Sequence, residues 1–400
     1  MELVMSQRDI VFIAGIEWEG QNVMPCHHLV AQLAKRHRVF YIDNFGAVRD
    51  LTIHDASRCV AKLSRSLTSK KTGQYVSRRV VRGVEVWQPW VIPTPRGRCI
   101  CKLNAWLLRR SLLQMYREYD ISDPILWTRA PTELVWDAIQ GLPYSTLVYQ
   151  SIDKFPNHPR ISLSLRPRFN ESERKFNEFA DVVFTSARGL WEEKRVLNKN
   201  THFLPNGVSS NFANSPEIKV DTMEKISGPV VGFAGALGTA TDIEFIVKLV
   251  KELPDVTFVF LGTIDRTEPL RGLDRLSNVI LQGLVPHHEL ISWFRYFDVG
   301  LMPYKINRFQ DYTFPSKLAE YLMAGLPIVS TRLPELMHYE EVVKISDDAA
   351  TMASDIRKIL ETESRVDETL LKARRKIAEG LTWESQAERV EKVLEKLLLQ

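Results

Sequence analysis

The sequence predicts an α/β protein made of two doubly wound, Rossmann-like domains facing across a cleft. Three observations carry this. Strand-like apolar runs alternate with stretches of helical period along both halves of the 400 residues. Each half opens on a run that ends in glycine, IVFIAG up to Gly15 and PVVGFAG up to Gly235. Between the halves stands the turn cluster Pro205-Asn206-Gly207, followed by a polar stretch from Ser209 to Ser227 with little periodicity. The expected organisation is a first domain over 1–205, a linker over 206–228, a second domain over 229–382 and a final helix over 383–400.

In the first half, Ile10–Ala14 reads as a buried strand. From Asn22 to Arg36 the apolar residues Val23, Cys26, Leu29, Val30 and Leu33 keep a helical spacing, and Arg38–Ile42 gives the next strand. Strand, helix and strand in so few residues make a βαβ unit, hence a parallel sheet. Further strands are expected at Pro124–Trp127, Ser145–Tyr149 and Asp181–Thr185, with helices at Thr132–Ile139, Pro167–Ala180 and Ala187–Leu197 between or after them. The second half continues with helix Asp242–Glu252 and strand Val256–Leu261. Strand Val279–Leu281, helix His287–Phe294 and strand Val299–Met302 follow. The C-terminus from Thr382 to Leu399 reads as a long amphipathic helix.

Composition narrows the function classes. Hydrophobic content of 44% and charged content of 26% are those of a globular chain. No run reaches the ~18 apolar residues that a membrane-spanning helix needs. The N-terminus lacks a basic segment and a cleavage site, so a cytoplasmic location is expected. Four cysteines, Cys26, Cys59, Cys99 and Cys101, do not make a disulfide framework. No metal is expected either: Cys99-x-Cys101 lacks a second pair, and the neighbours in His27-His28 and His287-His288 would point ~100° apart on a helix. The net charge of +4 hides an asymmetry, because thirteen Lys and Arg lie between Arg58 and Arg110 against Glu85 alone. Trp87, Trp90 and Trp106 are interleaved with them, and Ile100–Tyr116 has the apolar residues of an amphipathic element. Three readings stand: a solvated face, a nucleic-acid surface without any known motif, and the favoured one, attachment to an anionic membrane or capture of an acidic acceptor.

The most informative segment runs from Phe314 to Leu336, FPSKLAEYLMAGLPIVSTRLPEL. Pro315 is expected at the first helical position, and Gly325 as the left-handed stop with Pro327 beyond it. Ser316, Lys317 and Glu320 fall on one edge near the helix start. A hydroxyl and an ammonium at a helix N-terminus suit a phosphate, and a carboxylate one turn deeper suits a ribose diol. The plain alternative is an i,i+3 surface ion pair worth ~0.2–0.5 kcal/mol.

This segment resembles the donor-binding helix of the GT-B glycosyltransferases of family 4, with its P-x-K-x-x-E pattern followed by G-x-P-V-V. HFLPNGVSSNF is similar to their interdomain PNGV-x-x-x-F, and FAGALGTATDIEF and SNVILQGLVPHHELISWFRYFDVGLMPY are similar to their later strands and helices. Within that family the chain resembles the teichuronic-acid-type enzymes of bacterial envelope polysaccharide synthesis. The resemblance implies a metal-independent, retaining hexosyltransferase without a cofactor. Its donor would be a UDP-, GDP- or dTDP-sugar, and its acceptor a lipid-linked or polysaccharide hydroxyl. The final helix would cross back to the first domain. Glu320 would hold the ribose, with Ser316 and Lys317 beside the diphosphate. Gly15 and the loop Gly235, Ala236, Leu237 and Gly238 would let backbone approach the nucleotide sugar. That loop carries Thr239, Ala240 and Thr241 where many relatives place an Arg and then a Lys, so Lys305, Arg308 and Lys317 become the candidate cations. A Glu expected eight residues before Glu320 is Tyr312 here, with Asp311 as its neighbour and substitute. Asp153, after a strand of the first half, stands where relatives contact sugar or acceptor. Asp153, Lys317 and Asp311 are thus the catalytic candidates. A nucleotide-sugar epimerase and a catalytically silent sugar-nucleotide-binding subunit are the rival readings.

Overall fold

The computed structural model describes residues 7–18, 24–43, 77–81, 83–89, 91–92, 98–154, 163–216, 218–265, 269–362 and 368–399. The chain divides into two compact units, residues 1–204 with 389–400, and residues 205–388. The basic residues Arg58 to Lys71, Arg82 and Arg96, together with Trp90, lie outside the described residues.

In the first unit the elements are β1 (Asp9–Ile13), α1 (Pro25–Leu33), β2 (Arg38–Ile42), β3 (Ser77–Val81), β4 (Val84–Gln88) and α2 (Arg98–Glu118). They continue as β5 (Ile125–Thr128), α3 (Glu133–Ile139), β6 (Thr146–Ser151), α4 (Arg166–Phe179), β7 (Val182–Thr185), α5 (Arg188–Lys194) and β8 (Thr201–Phe203). Among the described residues the sheet order is β3-β4-β2-β1-β5-β6-β7-β8, parallel throughout except for the β3–β4 hairpin. Strands covered on both faces need apolar residues at every position, which is why Val11, Phe12, Phe40, Tyr41, Leu126 and Trp127 are all buried. Order reverses between β1 and β5, and ligands of open α/β sheets bind at the strand ends around such a switch point.

The second unit holds β9 (Val230–Ala234), α6 (Ile243–Glu252), β10 (Thr257–Leu261), β11 (Val279–Gly283), α7 (Leu290–Phe294) and β12 (Val299–Met302). After these come α8 (Lys317–Ala324), β13 (Ile328–Ser330), β14 (Val343–Ile345), α9 (Ala349–Thr362), α10 (Glu368–Glu379) and α11 (Trp383–Leu398). Its sheet runs β11-β10-β9-β12-β13-β14, all parallel, with the reversal between β9 and β12. Both sheets therefore have the doubly wound order.

One detail departs from the expected organisation. Residues 206–228 pack as part of the second unit: Val208 and Phe212 are buried, Val208 bridges to Thr382, and the Ile218 amide donates to Ser292 Oγ at 3.0 Å. Helix α11 starts in the second unit, and its residues from Arg389 on belong to the first, where Glu391 pairs with Arg36.

The aromatic–basic patch needs a correction. Trp87 is a core residue of β4, and its indole N–H donates to Ser111 Oγ at 3.0 Å. Arg109 is spent on the carbonyls of Asp137 and Ala138, where it complements the C-terminal end of α3. Leu108 and Met115 also face the core. Exposure on α2 falls on Leu103 and Trp106, beside exposed Arg98, Lys102 and Arg110, with the Arg110 guanidinium 5.5 Å from the Trp106 ring.

Candidate nucleotide site in the second unit

Helix α8 is shorter at its start than the sequence suggested. Ser316 is the cap and Lys317 the first helical residue, so Pro315 stands just outside. The reason is a tight turn in which the Leu318 amide donates to the Pro315 carbonyl at 3.1 Å. At the other end Gly325 adopts φ 77°, with its amide bonded to Leu322 and that of Leu326 to Tyr321. That is a Schellman stop, and only glycine takes such a conformation cheaply. Tyr321 fixes the helix to the sheet, because its hydroxyl accepts from the Ala234 amide on β9 at 2.8 Å.

This anchoring sinks Glu320 below the surface, at 6% exposure. Lys317 Nζ lies 2.6 Å from its Oε2, and His287 Nε2 lies 3.1 Å from its Oε1. Burial alone would raise the carboxyl. The Lys317 ammonium and the His287 ring outweigh it and hold the group down to about 2. The pair is thus no exposed surface pair: it is a buried carboxylate with both oxygens engaged. Burial, and beside it the Glu320 charge, pushes the Tyr304 phenol up.

The glycine loop after β9 meets the same corner. A Cβ on Gly262 would collide with the Gly235 carbonyl, so the turns after β9 and β10 touch backbone to backbone. Within the loop, the amides of Gly235 and Leu237 donate to Leu261 and Thr263, and that of Gly238 donates to Thr241 Oγ1 at 2.8 Å. Three of the four amides expected to meet phosphate are therefore spent inside the protein, and Ala236 supplies the remaining one. The Lys305 amide donates to the Ala240 carbonyl at 2.9 Å, and Thr241 bridges to Tyr304. This brings Lys305 beside the loop at the switch point between β9 and β12. Arg308 is exposed, and Asp311 sits half-buried on the turn Gln310–Tyr312. Among the described residues no hydrogen bond or ion pair joins Asp311 to Lys317 or Glu320.

In the first unit, Gly15 takes φ 68° just past β1. Asp153 follows β6, and burial raises its carboxyl to about 6 against the opposing Arg129 charge. Arg129, buried at the end of β5 with its amide bonded to the Ile13 carbonyl, escaped the sequence reading. His287 escaped it too, since 33 residues separate it from Glu320. Among the described residues no group of three His, Cys, Asp or Glu could hold a metal ion. His27 is a core residue bonded to the Tyr41 hydroxyl at 3.0 Å.

Comparison with known proteins bears on family and fold. Residues 228–362 match the family model described as glycosyl transferases group 1. A curated protein of Bacillus subtilis (strain 168) named as the teichuronic acid biosynthesis glycosyltransferase TuaH is 30% identical over 341 residues, 74% of this chain and 85% of that one. The sucrose-phosphate synthase of Thermosynechococcus elongatus superposes with a TM-score of 0.69 at 16% identity, over 98% of this chain and all of its own. Anabaena HepE, solved with UDP and glucose, gives 0.65 at 15% identity over 97% and 100%.

Proposed function

Because the chain belongs to the group 1 glycosyltransferases and has their GT-B fold of two Rossmann-like domains, we propose that it moves a sugar from a nucleoside-diphosphate donor to a hydroxyl. The acceptor in this reading is a lipid-linked or polysaccharide glycan of a bacterial envelope, and the anomeric configuration is retained. The observation that carries the donor assignment is the buried Glu320 carboxylate at the start of α8. It stays ionised over the whole physiological range and can accept two ribose hydroxyls. Lys317 and the first amides of α8, apart from that of Leu318, which the Pro315 carbonyl holds, lie where an anion is stabilised by a helix N-terminus.

In the proposed reaction the bond from the anomeric carbon to the diphosphate oxygen breaks, and its electron pair leaves with the diphosphate. The acceptor oxygen bonds to the same carbon from the same face, and its proton passes to the departing phosphate oxygen. Lys317, Lys305 and the α8 amides would stabilise the negative charge that develops there, without any divalent ion. Asp153 would accept a hydrogen bond from an acceptor hydroxyl.

Attachment to an anionic membrane surface belongs to the same proposal. Leu103 and Trp106 supply exposed apolar area on α2, and Arg98, Lys102 and Arg110 supply charge, each cation near such a surface adding ~1 kcal/mol. Among the described residues no helix is long and apolar enough to cross a membrane.

The test is a panel of UDP-, GDP- and dTDP-sugars incubated with the purified protein in excess chelator. Release of one nucleoside diphosphate, with an α-donor giving an α-product, is the expected result. Failure to bind or cleave any donor would overturn the assignment, and interconversion of the sugar without release would replace it with epimerisation.

A further inference from the structure

The ion pair that defines the site creates a conflict. Lys317 is needed at the diphosphate, because the loop after β9 offers Thr239, Ala240 and Thr241 in place of a cation. Yet its ammonium lies 2.6 Å from Glu320. Withdrawing the partner of a buried carboxylate is costly unless a second one remains. His287 is that second partner. It holds the other oxygen, Oε1, at 3.1 Å, and it sits on the single turn His287–Glu289 that leads into α7, an element separate from α8.

The two donors differ in mobility. Lys317 has a flexible four-carbon stem and starts at the helix N-terminus. The His287 ring hangs from a short stem and lies against the Phe212 ring, with centroids 5.9 Å apart. When ribose hydroxyls reach Glu320 they compete for its lone pairs, and the partner that can leave toward an anion is Lys317.

Resting on the nucleotide reading above, we propose that His287 is a positioning residue that keeps Glu320 satisfied while nucleotide binding hands Lys317 over from the carboxylate to the diphosphate. His287 itself touches neither phosphate nor the reacting carbon. Its effect appears as coupling: without it, Lys317 stays with Glu320 and the diphosphate loses one of its cations.

The experiment is a double-variant cycle on the full chain. Affinities are measured for UDP, GDP and dTDP, and then for the nucleoside of whichever binds most tightly. Lys317→Met should weaken the diphosphate at least about tenfold, as expected for loss of a charge-assisted contact, and should barely change the nucleoside. His287→Ala should weaken the diphosphate by a similar factor and the nucleoside by less. The double variant should bind the diphosphate about as weakly as His287→Ala alone. His287→Gln, which can place an N–H near the same oxygen, should recover most of the loss. Should His287→Ala melt early, the Gln and Asn variants carry the same comparison, since the Asn amide is too short to reach Oε1.

Multiplying single-variant losses, or equal losses for nucleoside and diphosphate in His287→Ala, would overturn the hand-over while leaving the nucleotide site intact. No binding of any diphosphate to the wild-type protein would instead remove the nucleotide reading on which the proposal stands.

Discussion

Glu320→Gln tests the electrostatics of the site before any ligand is involved. The ordinary carboxyl value is 4.5, and in the folded protein Lys317 and His287 outweigh burial and bring it to about 2. A downward shift of that size corresponds to roughly 3 kcal/mol of stability carried by the ionised form. Because the folded value lies below the unfolded one, the contribution is fully present above pH ~4.5, falls to roughly 2 kcal/mol near pH 3.5, and disappears as pH approaches 2. Glutamine keeps the shape and two hydrogen-bonding atoms but cannot titrate. The wild type should therefore exceed the variant by up to roughly 3 kcal/mol at pH 7, with the gap closing on acidification. Urea unfolding from pH 7 to 3, fitted with two transitions because the two units need not unfold together, gives that difference for the second unit. A gap that stays constant with pH, or one that widens in acid, would refute the account of Glu320 as a carboxylate held ionised by its two neighbours.

Other consequences are open to direct measurement. Gly325→Ala forces a side chain into φ 77° and against Leu371, so the second unit should lose about 1–2 kcal/mol, read as a lowered melting temperature. Trp106→Ala should leave melting unchanged but reduce flotation with anionic vesicles, and equal flotation with neutral vesicles would remove the electrostatic argument. Trp87→Ala, by contrast, empties a core position and should cost about 3–5 kcal/mol in the first unit. Asp153 has a folded value raised to about 6, above its ordinary 3.8, so its ionisation works against folding increasingly from pH ~3.8 to ~6 and fully above that. Asp153→Asn should accordingly raise the melting temperature most at pH 7.5, less at pH 4.5 and not at pH 3.

How much of this was legible in the sequence depends on the range of the interactions. Strands β2 and β12 fall on the expected residues because strands buried on both faces require unbroken apolar runs, and such runs are local. The Gly325 stop was legible for the same reason, since its cause lies within three residues. The helix starts two residues later than Pro315 suggested, because a proline suits both the first helical position and the turn before it. Trp87 looked like a surface aromatic among cations, and only the pairing of β4 with β2, together with Ser111 on α2, shows it to be core. The Glu320 cluster was half legible: Lys317 is three residues away on the same helix, while His287 arrives from the far side of β12. Its contact depends on the crossover that sets α7 near α8, and no local pattern encodes that. The internal bonding of Gly235, Leu237 and Gly238 was hidden likewise, because glycine content signals close approach without saying what approaches.

The division of α11 between the two units has a consequence for how the chain is made. Residues 389–400 complete the first unit, yet they leave the ribosome after residues 205–388. The first unit must therefore wait, with the surface around Arg36 and His37 uncovered, while the whole second unit is synthesised and folds. Closing it joins residues 355 positions apart, the kind of distant pairing that slows folding. A chain ended at residue 388 and released from the ribosome would hold a complete second unit and an incomplete first one, the reverse of the order in which they are translated.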